Sequence, residues 1–255
     1  MRNVIQVMNI LEEIVNRKKL DLKKIKELIS IDQFLKQIDI NQKGDFFKTL
    51  TNNDDQYHII PETKKSSPSA GIIVKEYDPL KKASAYINDG HKVISVLTEE
   101  HYFNGSIEHI KSIKSELDLK ILRKDFIIDE WQIYESKAYG ADCILLIAES
   151  LSKKDIAHFS NIANELNLDV LLEFHNEEQI DKVLSSGLDL IGINNRNLST
   201  VETNISHCEN LLNRHHQVLK PQNIIAESGF TLKSQLDDYV NIGVNKFLIG
   251  EGLLR

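Results

Sequence analysis

Residues that can transfer protons or bind anions recur along the chain directly after short apolar runs. They lie at positions 62–69, 98–99, 124–126, 149, 173, 194–196, 227–229 and 250–251. Lysines, carboxylates, an asparagine and an arginine are among them, and general acid–base catalysis uses such side chains. If folding gathers them in one desolvated place, their mutual charges shift their pKa values and suit them to proton transfer.

The apolar runs before these residues are predicted to be buried strands of a parallel sheet. Most are rich in Val, Ile and Leu without polar alternation, which is typical of strands covered on both faces. Five of them follow residues of the kind that end helices in the left-handed conformation, namely Gly90, Gly140, Asn167, Gly187 and Gly243. Helical patterns of apolar residues precede some of these joints, as at 156–166 and 232–240.

Runs at 57–60, 119–122 and 224–226 complete a set of eight strands. Units of about 20–30 residues, repeated over roughly 200 residues, predict an α/β protein with a (β/α)8 TIM barrel. A doubly wound open sheet is the alternative, but it usually has a glycine-rich phosphate turn after its first strand, and no such motif is present. In a barrel, the residues described above meet at the C-terminal ends of the strands.

The first part of the chain does not follow the repeat. Residues 1–50 predict an N-terminal helical extension on a barrel of residues 51–255, as one structural domain. The basic stretch 17–24 is predicted to be a solvated helix face. Pro61 lacks an N–H and predicts an early end or a bulge in the first strand. The chain ends soon after the eighth predicted strand, so we expect the eighth helix to be short or missing.

Composition excludes several classes of protein. The 255 residues carry 31 Lys and Arg against 38 Asp and Glu, and this net charge of −7 argues against a general nucleic-acid or anionic-membrane binder. No run of about 18 apolar residues is present, so we expect no membrane span and a cytoplasmic protein. Cys143 and Cys208 form no C-x-x-C pair, which argues against a disulfide framework or a thiolate zinc site.

Two glycines near the end of the chain indicate an anion site. Gly229 and Gly250 have no side chain, so an anion can approach their backbone closely, and Ser67 can add a hydroxyl donor. Loops after the seventh and eighth strands of such barrels often bind phosphate. The sequence therefore predicts a phosphate ester as the substrate.

Several segments together resemble the indole-3-glycerol-phosphate synthase family of the tryptophan pathway. The resemblance extends from about Leu11 to Arg255. It rests on KKSSPSAG from Lys64, ISVLTE from Ile94, FNGS from Phe103, LRKDFIID from Leu122, GADCILLI from Gly140, LEFH from Leu172, IGINNRNL from Ile191, IAESG from Ile225 and FLIGE from Phe247. The combination of SPS, LRKDFI, GINNR and ESG in this order is highly specific.

The resemblance implies a carbon–carbon lyase without metal or organic cofactor. Members of the family close the indole ring of 1-(2-carboxyphenylamino)-1-deoxyribulose 5-phosphate and release carbon dioxide and water. The implied catalytic residues are Lys124, Glu173, Lys64, Glu62, Asn194 and Glu227. The implied substrate-binding residues are Arg196 and Ser228, together with Phe103 and Phe126 as walls of the aromatic ring. The implied phosphate-binding residues are Ser67, Gly229, Gly250 and Glu251.

Within this scheme, Lys124 is expected to be the general acid of ring closure, kept charged by Glu62. Glu173 and Lys64 are the two candidates for the acid and the base of the dehydration, and the sequence does not assign either role to one of them. Two alternatives remain open: another phosphate-binding barrel enzyme that uses Lys124 to form an imine, and a non-catalytic subunit of a pathway complex. The expected partner is a phosphorylated aromatic small molecule, not nucleic acid or membrane. We expect a monomer or weak homodimer, with another tryptophan-pathway enzyme as the candidate protein partner.

Overall fold

The computed structural model describes residues 9–52 and 54–250. Eight parallel strands close into a barrel in chain order. They are β1 (His58–Thr63), β2 (Val93–Leu97), β3 (Lys120–Lys124), β4 (Cys143–Ile147), β5 (Asp169–Phe174), β6 (Ile191–Asn194), β7 (Ile224–Glu227) and β8 (Lys246–Ile249). The prediction of a (β/α)8 barrel is confirmed.

The helices alternate with the strands after a helical N-terminal part. They are α1 (Ile10–Leu28), α2 (Ile31–Leu35), α3 (Phe46–Leu50), α4 (Pro79–Asn88), α5 (Glu108–Glu116), α6 (Glu130–Ala138), α7 (Lys153–Glu165), α8 (Ile180–Ser186), α9 (His207–Arg214) and α10 (Lys233–Asn241). No helix within 9–52 and 54–250 is long and apolar enough to cross a membrane. The predicted short or missing eighth barrel helix concerns residues 251–255, outside the described residues.

The joints between helices and strands have the predicted left-handed backbone. The φ angle is +54° at Asn167 and between +69° and +91° at Gly90, Gly140, Gly187 and Gly243. These conformations suit glycine and asparagine, which reverse the chain after a helix and start the next strand.

The expectation that Pro61 ends or bulges the first strand is wrong. β1 continues to Thr63, and Pro61 is opposite Ile249 in the last register pair with β8. The next residue, Glu62, begins the pairing with β2. Pro61, which lacks an N–H, thus lies where the pairing of β1 with β8 ends and its pairing with β2 begins. At this position the missing N–H does not end the strand.

Two apolar layers hold the barrel together. Alternating strand residues fill its interior, including Ile60, Leu122 and Leu171, while the opposite faces pack against the outer helices. Phe46 of α3 is fully buried in the same interior cluster. α3 contacts β1, β2 and β3, and the Phe47 N–H donates to Asp169 at the start of β5, so this helix covers the N-terminal end of the barrel.

Candidate active site

A cavity of about 520 Å³ lies at the C-terminal end of the barrel. All the site residues predicted from the sequence line it, except Glu251, which lies outside the described residues. The structure therefore brings together Glu62, Lys64, Ser67, Phe103, Lys124, Phe126, Glu173, Asn194, Arg196, Glu227, Ser228, Gly229 and Gly250.

Lys124 lies between two buried carboxylates at the centre of this cavity. Its Nζ donates to Glu173 Oε2 and, at 2.6 Å, to Glu227 Oε2. Lys124 ends β3, Glu173 lies on β5 and Glu227 ends β7. Alternate strands of a barrel contribute side chains to one interior layer, so these three odd-numbered strands direct their residues to a common point.

The charge of Glu62 favours the ammonium form of Lys124, but the hydrogen bond of Glu62 is with Lys64. Glu62 Oε1 accepts this hydrogen bond from Lys64 Nζ at 2.7 Å. Glu62 lies on β1 and Lys64 directly follows the strand, two positions later, so the two side chains project from the same face of the chain. Lys64 is therefore the hydrogen-bond partner of Glu62. The hydrogen-bond partners of Lys124 are Glu173 and Glu227.

The charges in this layer shift its pKa values in different directions. Burial opposes the ammonium form of Lys124, but the charges of Glu173, Glu227 and Glu62 outweigh burial and raise its pKa. Burial also opposes ionisation of Glu173, yet the Lys124 charge and hydrogen bonds from Lys124 and Asn194 lower its pKa. Burial and the Glu173 charge raise the pKa of Glu227 to about 8. Of the two acidic groups that flank the ammonium, Glu173 is thus the stronger acid, and Glu227 keeps its proton more readily.

Two further contacts fix the orientation of Glu173 and Asn194. Asn194 Nδ2 donates to Glu173 Oε1 at 2.8 Å, and its Oδ1 accepts from the Arg196 N–H at 2.9 Å. Both carboxylate oxygens of Glu173 therefore accept hydrogen bonds. Glu227 Oε1, by contrast, is buried without a hydrogen-bond partner among the described residues. This oxygen lies against Gly192, where an added Cβ would be 2.1 Å away.

Three of the predicted phosphate-binding residues, Ser67, Gly229 and Gly250, also line the cavity. The φ angles of Ser228 and Gly229 are +69° and +88°, so the chain turns sharply directly after β7. A Cβ on Gly250 would lie 2.8 Å from Lys64 Nζ. The absence of a side chain at Gly250 thus makes room for the lysine, which is a function that the sequence did not reveal.

Apolar side chains form the remaining wall of the cavity. The rings of Phe103 and Phe126 have centroids 6.3 Å apart and are tilted by 36°. Ile10 and Ile14 of α1 also line the cavity. The sequence analysis missed these two residues because nothing local connects the N-terminal helix with the strand ends.

Outside the cavity lining, His175 stacks on His207, a pairing that the sequence did not reveal. The rings of His175 and His207 lie 3.9 Å apart and nearly parallel, and His175 Nδ1 lies 2.7 Å from the Asn194 carbonyl oxygen. His175 follows the catalytic candidate Glu173 by two positions, and this proximity was the only available signal. His175 thus connects the end of β5 with the end of β6, and His207 adds the start of α9.

Comparison with known proteins decides the family. Residues 11–255 match the family described as indole-3-glycerol phosphate synthase. The chain belongs to the indole-3-glycerol phosphate synthase family. Among curated members, the enzyme of Acetivibrio thermocellus is 43% identical over 249 residues, covering 96% of this chain and 94% of that protein. The enzyme of Aliarcobacter butzleri is 41% identical over 249 residues, with the same two coverages.

Membership in the indole-3-glycerol phosphate synthase family confirms the predicted reaction class. It makes the chain a decarboxylating carbon–carbon lyase of tryptophan biosynthesis that acts on a phosphorylated aromatic small molecule. Solved structures of more distant proteins share the fold alone. N-acetylmannosamine-6-phosphate 2-epimerase of Clostridium perfringens has a TM-score of 0.55 at 14% identity, covering 75% of this chain and 85% of that chain. 3-Hexulose-6-phosphate synthase of Salmonella typhimurium has a TM-score of 0.54 at 15% identity, covering 75% of this chain and 88% of that chain.

Proposed function

We propose that this cavity closes the indole ring of 1-(2-carboxyphenylamino)-1-deoxyribulose 5-phosphate, with Lys124 as the general acid. The observation that carries the proposal is the ammonium of Lys124, held between Glu173 and Glu227 at the centre of the cavity. The ring carbon that bears the carboxylate attacks the C2′ ketone while Lys124 protonates the ketone oxygen. Loss of carbon dioxide then restores the aromatic ring.

The cavity has a complementary surface for each part of this substrate. Phe103, Phe126 and Ile14 offer an apolar place for the anthranilate ring. Lys64, whose side chain is 20% exposed, offers a cation to the ring carboxylate. Ser67 and the turn at Gly229 offer hydroxyl and amide donors to the phosphate.

Proton release from Lys124 requires a change of partners. The two carboxylates that keep it charged also oppose loss of its proton. A ketone oxygen that takes the place of one carboxylate on Nζ removes part of this opposition. With its pKa raised to about 8, Glu227 is the neighbour of Lys124 that can take up and return a proton near neutral pH.

Dehydration of the closed ring uses a second acid–base pair. The C2′ hydroxyl leaves as water when it gains a proton, and a base removes a proton from C1′ to form the double bond. We assign the acid to Lys64 and the base to Glu173, since both line the cavity and Glu173 is ionised. Each positioned group of this kind contributes about 10²–10⁴-fold to the rate.

A comparison of two lysines on the same strand tests the proposal. Lys120 begins β3 and Lys124 ends it. We expect Lys124→Met to lower kcat by about 10²-fold or more, with substrate binding retained, and Lys120→Met to leave kcat unchanged. The measurement is indole fluorescence from purified protein and the deoxyribulose phosphate. Turnover of Lys124→Met at the wild-type rate would refute the general-acid role.

The imine mechanism that the sequence left open has less support. An imine forms from a neutral amine, and the carboxylates around Lys124 favour the ammonium. Borohydride treatment in the presence of substrate should therefore trap no adduct on Lys124. Mass spectrometry of the treated protein checks this, and a stable adduct would favour the imine.

We also propose that the enzyme acts in the cytoplasm as a monomer or weak homodimer. Cys143 and Cys208 are buried free thiols, which suits a reducing compartment. We propose further that residues 1–50 and the barrel fold as one domain, because Phe46 is buried inside the barrel cluster. Light scattering across concentrations tests the oligomeric state, and a single unfolding transition tests the one-domain proposal.

A further inference from the structure

One lysine of the N-terminal helix is not on the solvated face that its sequence predicted. Lys18 of α1 lies in the basic stretch 17–24, but its Nζ is 2.8 Å from Asp125 Oδ1. The Lys18 side chain is 14% exposed and that of Asp125 is 1% exposed. The interpretation of this stretch as wholly solvated is therefore wrong at Lys18, because Asp125 draws the lysine into the barrel end.

Asp125 organises the chain immediately after Lys124. Its Oδ1 accepts the backbone N–H of Phe126 at 2.8 Å. Its Oδ2 accepts from Thr98 Oγ1 at 2.6 Å and from Arg123 Nη2 at 3.1 Å. The carboxylate thus connects the residues on both sides of Lys124 with the end of β2. A change in the position of Asp125 would move Lys124 and the ring of Phe126 together.

The charges around Asp125 balance only when Lys18 is present. Arg123 also pairs with Glu135, at 2.8 Å, so that Lys18 and Arg123 face two carboxylates. Removing Lys18 leaves an uncompensated negative charge in a buried place, and such a charge is unfavourable. That place directly adjoins the proposed general acid.

We propose that Lys18 is a positioning residue of the active site, which acts through Asp125 to hold Lys124 and Phe126 in place. The proposal rests on the proposed role of Lys124. It gives the N-terminal helix a part in catalysis besides the cavity wall that Ile10 and Ile14 supply. The start of α1 is itself attached to the β6 side of the site, where the Ile10 N–H donates to the Ser199 carbonyl at 3.3 Å.

A second ion pair of nearly equal geometry serves as a control, because it contributes to stability at a distance from the active site. Lys114 Nζ lies 2.9 Å from Asp142 Oδ2, and their side chains are 18% and 2% exposed. This pair precedes β4 and lies at the N-terminal end of the barrel. Loss of either lysine should lower the melting temperature, but only loss of Lys18 should change the chemistry.

The experiment compares kcat and KM of Lys18→Met and Lys114→Met with those of the wild-type enzyme. We expect kcat of Lys18→Met to fall about 10- to 100-fold, since small displacements of catalytic groups have effects of this size. Lys114→Met should keep the wild-type kcat, as should Lys19→Met on the exposed side of α1. Lys18→Arg should keep most of the activity, because it retains a positive charge beside Asp125.

A double substitution shows whether Lys18 acts through Asp125. If it does, Lys18→Met should have little further effect on kcat in an Asp125→Asn background. Additive losses in kcat would overturn the proposed route. Should Lys18→Met not fold, Lys18→Gln keeps a hydrogen-bond donor without the charge, and its kcat should fall in the same direction.

The outcomes distinguish this proposal from the proposed function. A wild-type kcat for Lys18→Met or Lys18→Gln, beside an inactive Lys124→Met, would overturn the positioning role alone. An active Lys124→Met would overturn the role of the general acid, and with it any role in positioning that acid. Equal losses of kcat in Lys18→Met and Lys114→Met would show a general effect of stability and overturn the positioning role.

Discussion

One cluster at each end of the barrel places lysine beside buried carboxylates, and the two clusters do so in opposite proportions. At the N-terminal end, Asp142 accepts from Lys114 at 2.9 Å, from Lys120 at 3.2 Å and from the Ile121 N–H at 2.8 Å. At the C-terminal end, the single ammonium of Lys124 is shared by Glu173 and Glu227. Asp142 has two cations beside it, and they satisfy its negative charge. Glu173 and Glu227 share one cation, so one of these two carboxyl groups can hold a proton.

This difference separates a cluster that holds structure from one suited to chemistry. Proton transfer needs a group whose pKa lies near the working pH, and the pKa of Glu227 is raised to about 8. It also needs room for a substrate. The cavity around Lys124 measures about 520 Å³, against about 130 Å³ for the one lined by His58 and His91 at the opposite end. Residue type alone does not distinguish the two ends.

The largest expected effect comes from neutralising one carboxylate at each end. Glu173→Gln should lower kcat by about 10²–10⁴-fold, because it removes the proposed base and a partner of Lys124. Asp142→Asn should lower the melting temperature and leave kcat of the folded enzyme unchanged. Steady-state kinetics and thermal unfolding of both variants check this contrast. A comparable fall in kcat for both would remove the functional distinction between the two ends.

Replacing one glycine by alanine at each end of the barrel should separate an effect on activity from an effect on stability. A Cβ on Gly192 would overlap Glu227 Oε1, while a Cβ on Gly44 would overlap the Asp142 carbonyl oxygen. We expect Gly192→Ala to lower kcat strongly because it displaces Glu227. Gly44→Ala should instead destabilise the fold by about 1–3 kcal/mol, as overpacking typically does. Chemical denaturation beside kinetics measures both effects, and full activity of Gly192→Ala would contradict the importance of the Glu227 position.

The raised pKa of Glu227 predicts a pH-dependent stability at the C-terminal end. The folded pKa of about 8 exceeds the ordinary value of 4.5, so the folded state binds more protons than the unfolded state between these values. This contribution is fully present below the unfolded pKa and is lost as pH rises through the folded pKa. From about pH 5 to about pH 9, the wild-type melting temperature should fall relative to that of Glu227→Gln. A constant difference between the two proteins would show that Glu227 does not titrate in this range.

The smallest expected effect is at Gly250. Its added Cβ would meet the end of the Lys64 side chain at 2.8 Å, and a flexible lysine can move away. Gly250→Ala should therefore raise KM several-fold through the displaced cation, with a smaller change in kcat. Substrate titration of the variant measures this, and an unchanged KM would argue against a contact between Lys64 and the substrate.

Much of the site could be predicted from the sequence, for a physical reason. Apolar runs typical of buried strands and helix ends at glycine or asparagine are local properties, so neighbouring positions in the chain indicate the order of strands and the residues that follow them. A closed parallel barrel then places all strand ends on one rim. These local features therefore predict that Glu62, Lys124 and Glu173 lie around one cavity.

The partners within that rim were decided by the tertiary structure. Whether Lys124 meets Glu62 or Glu227 depends on the stagger of strands around the barrel, and whether Lys18 is solvated or buried depends on how α1 docks. Both are set by contacts between residues far apart in the chain, for example the 103 positions that separate Lys124 from Glu227. The sequence determined which groups reach the rim, and the folded barrel determined which of them share a proton.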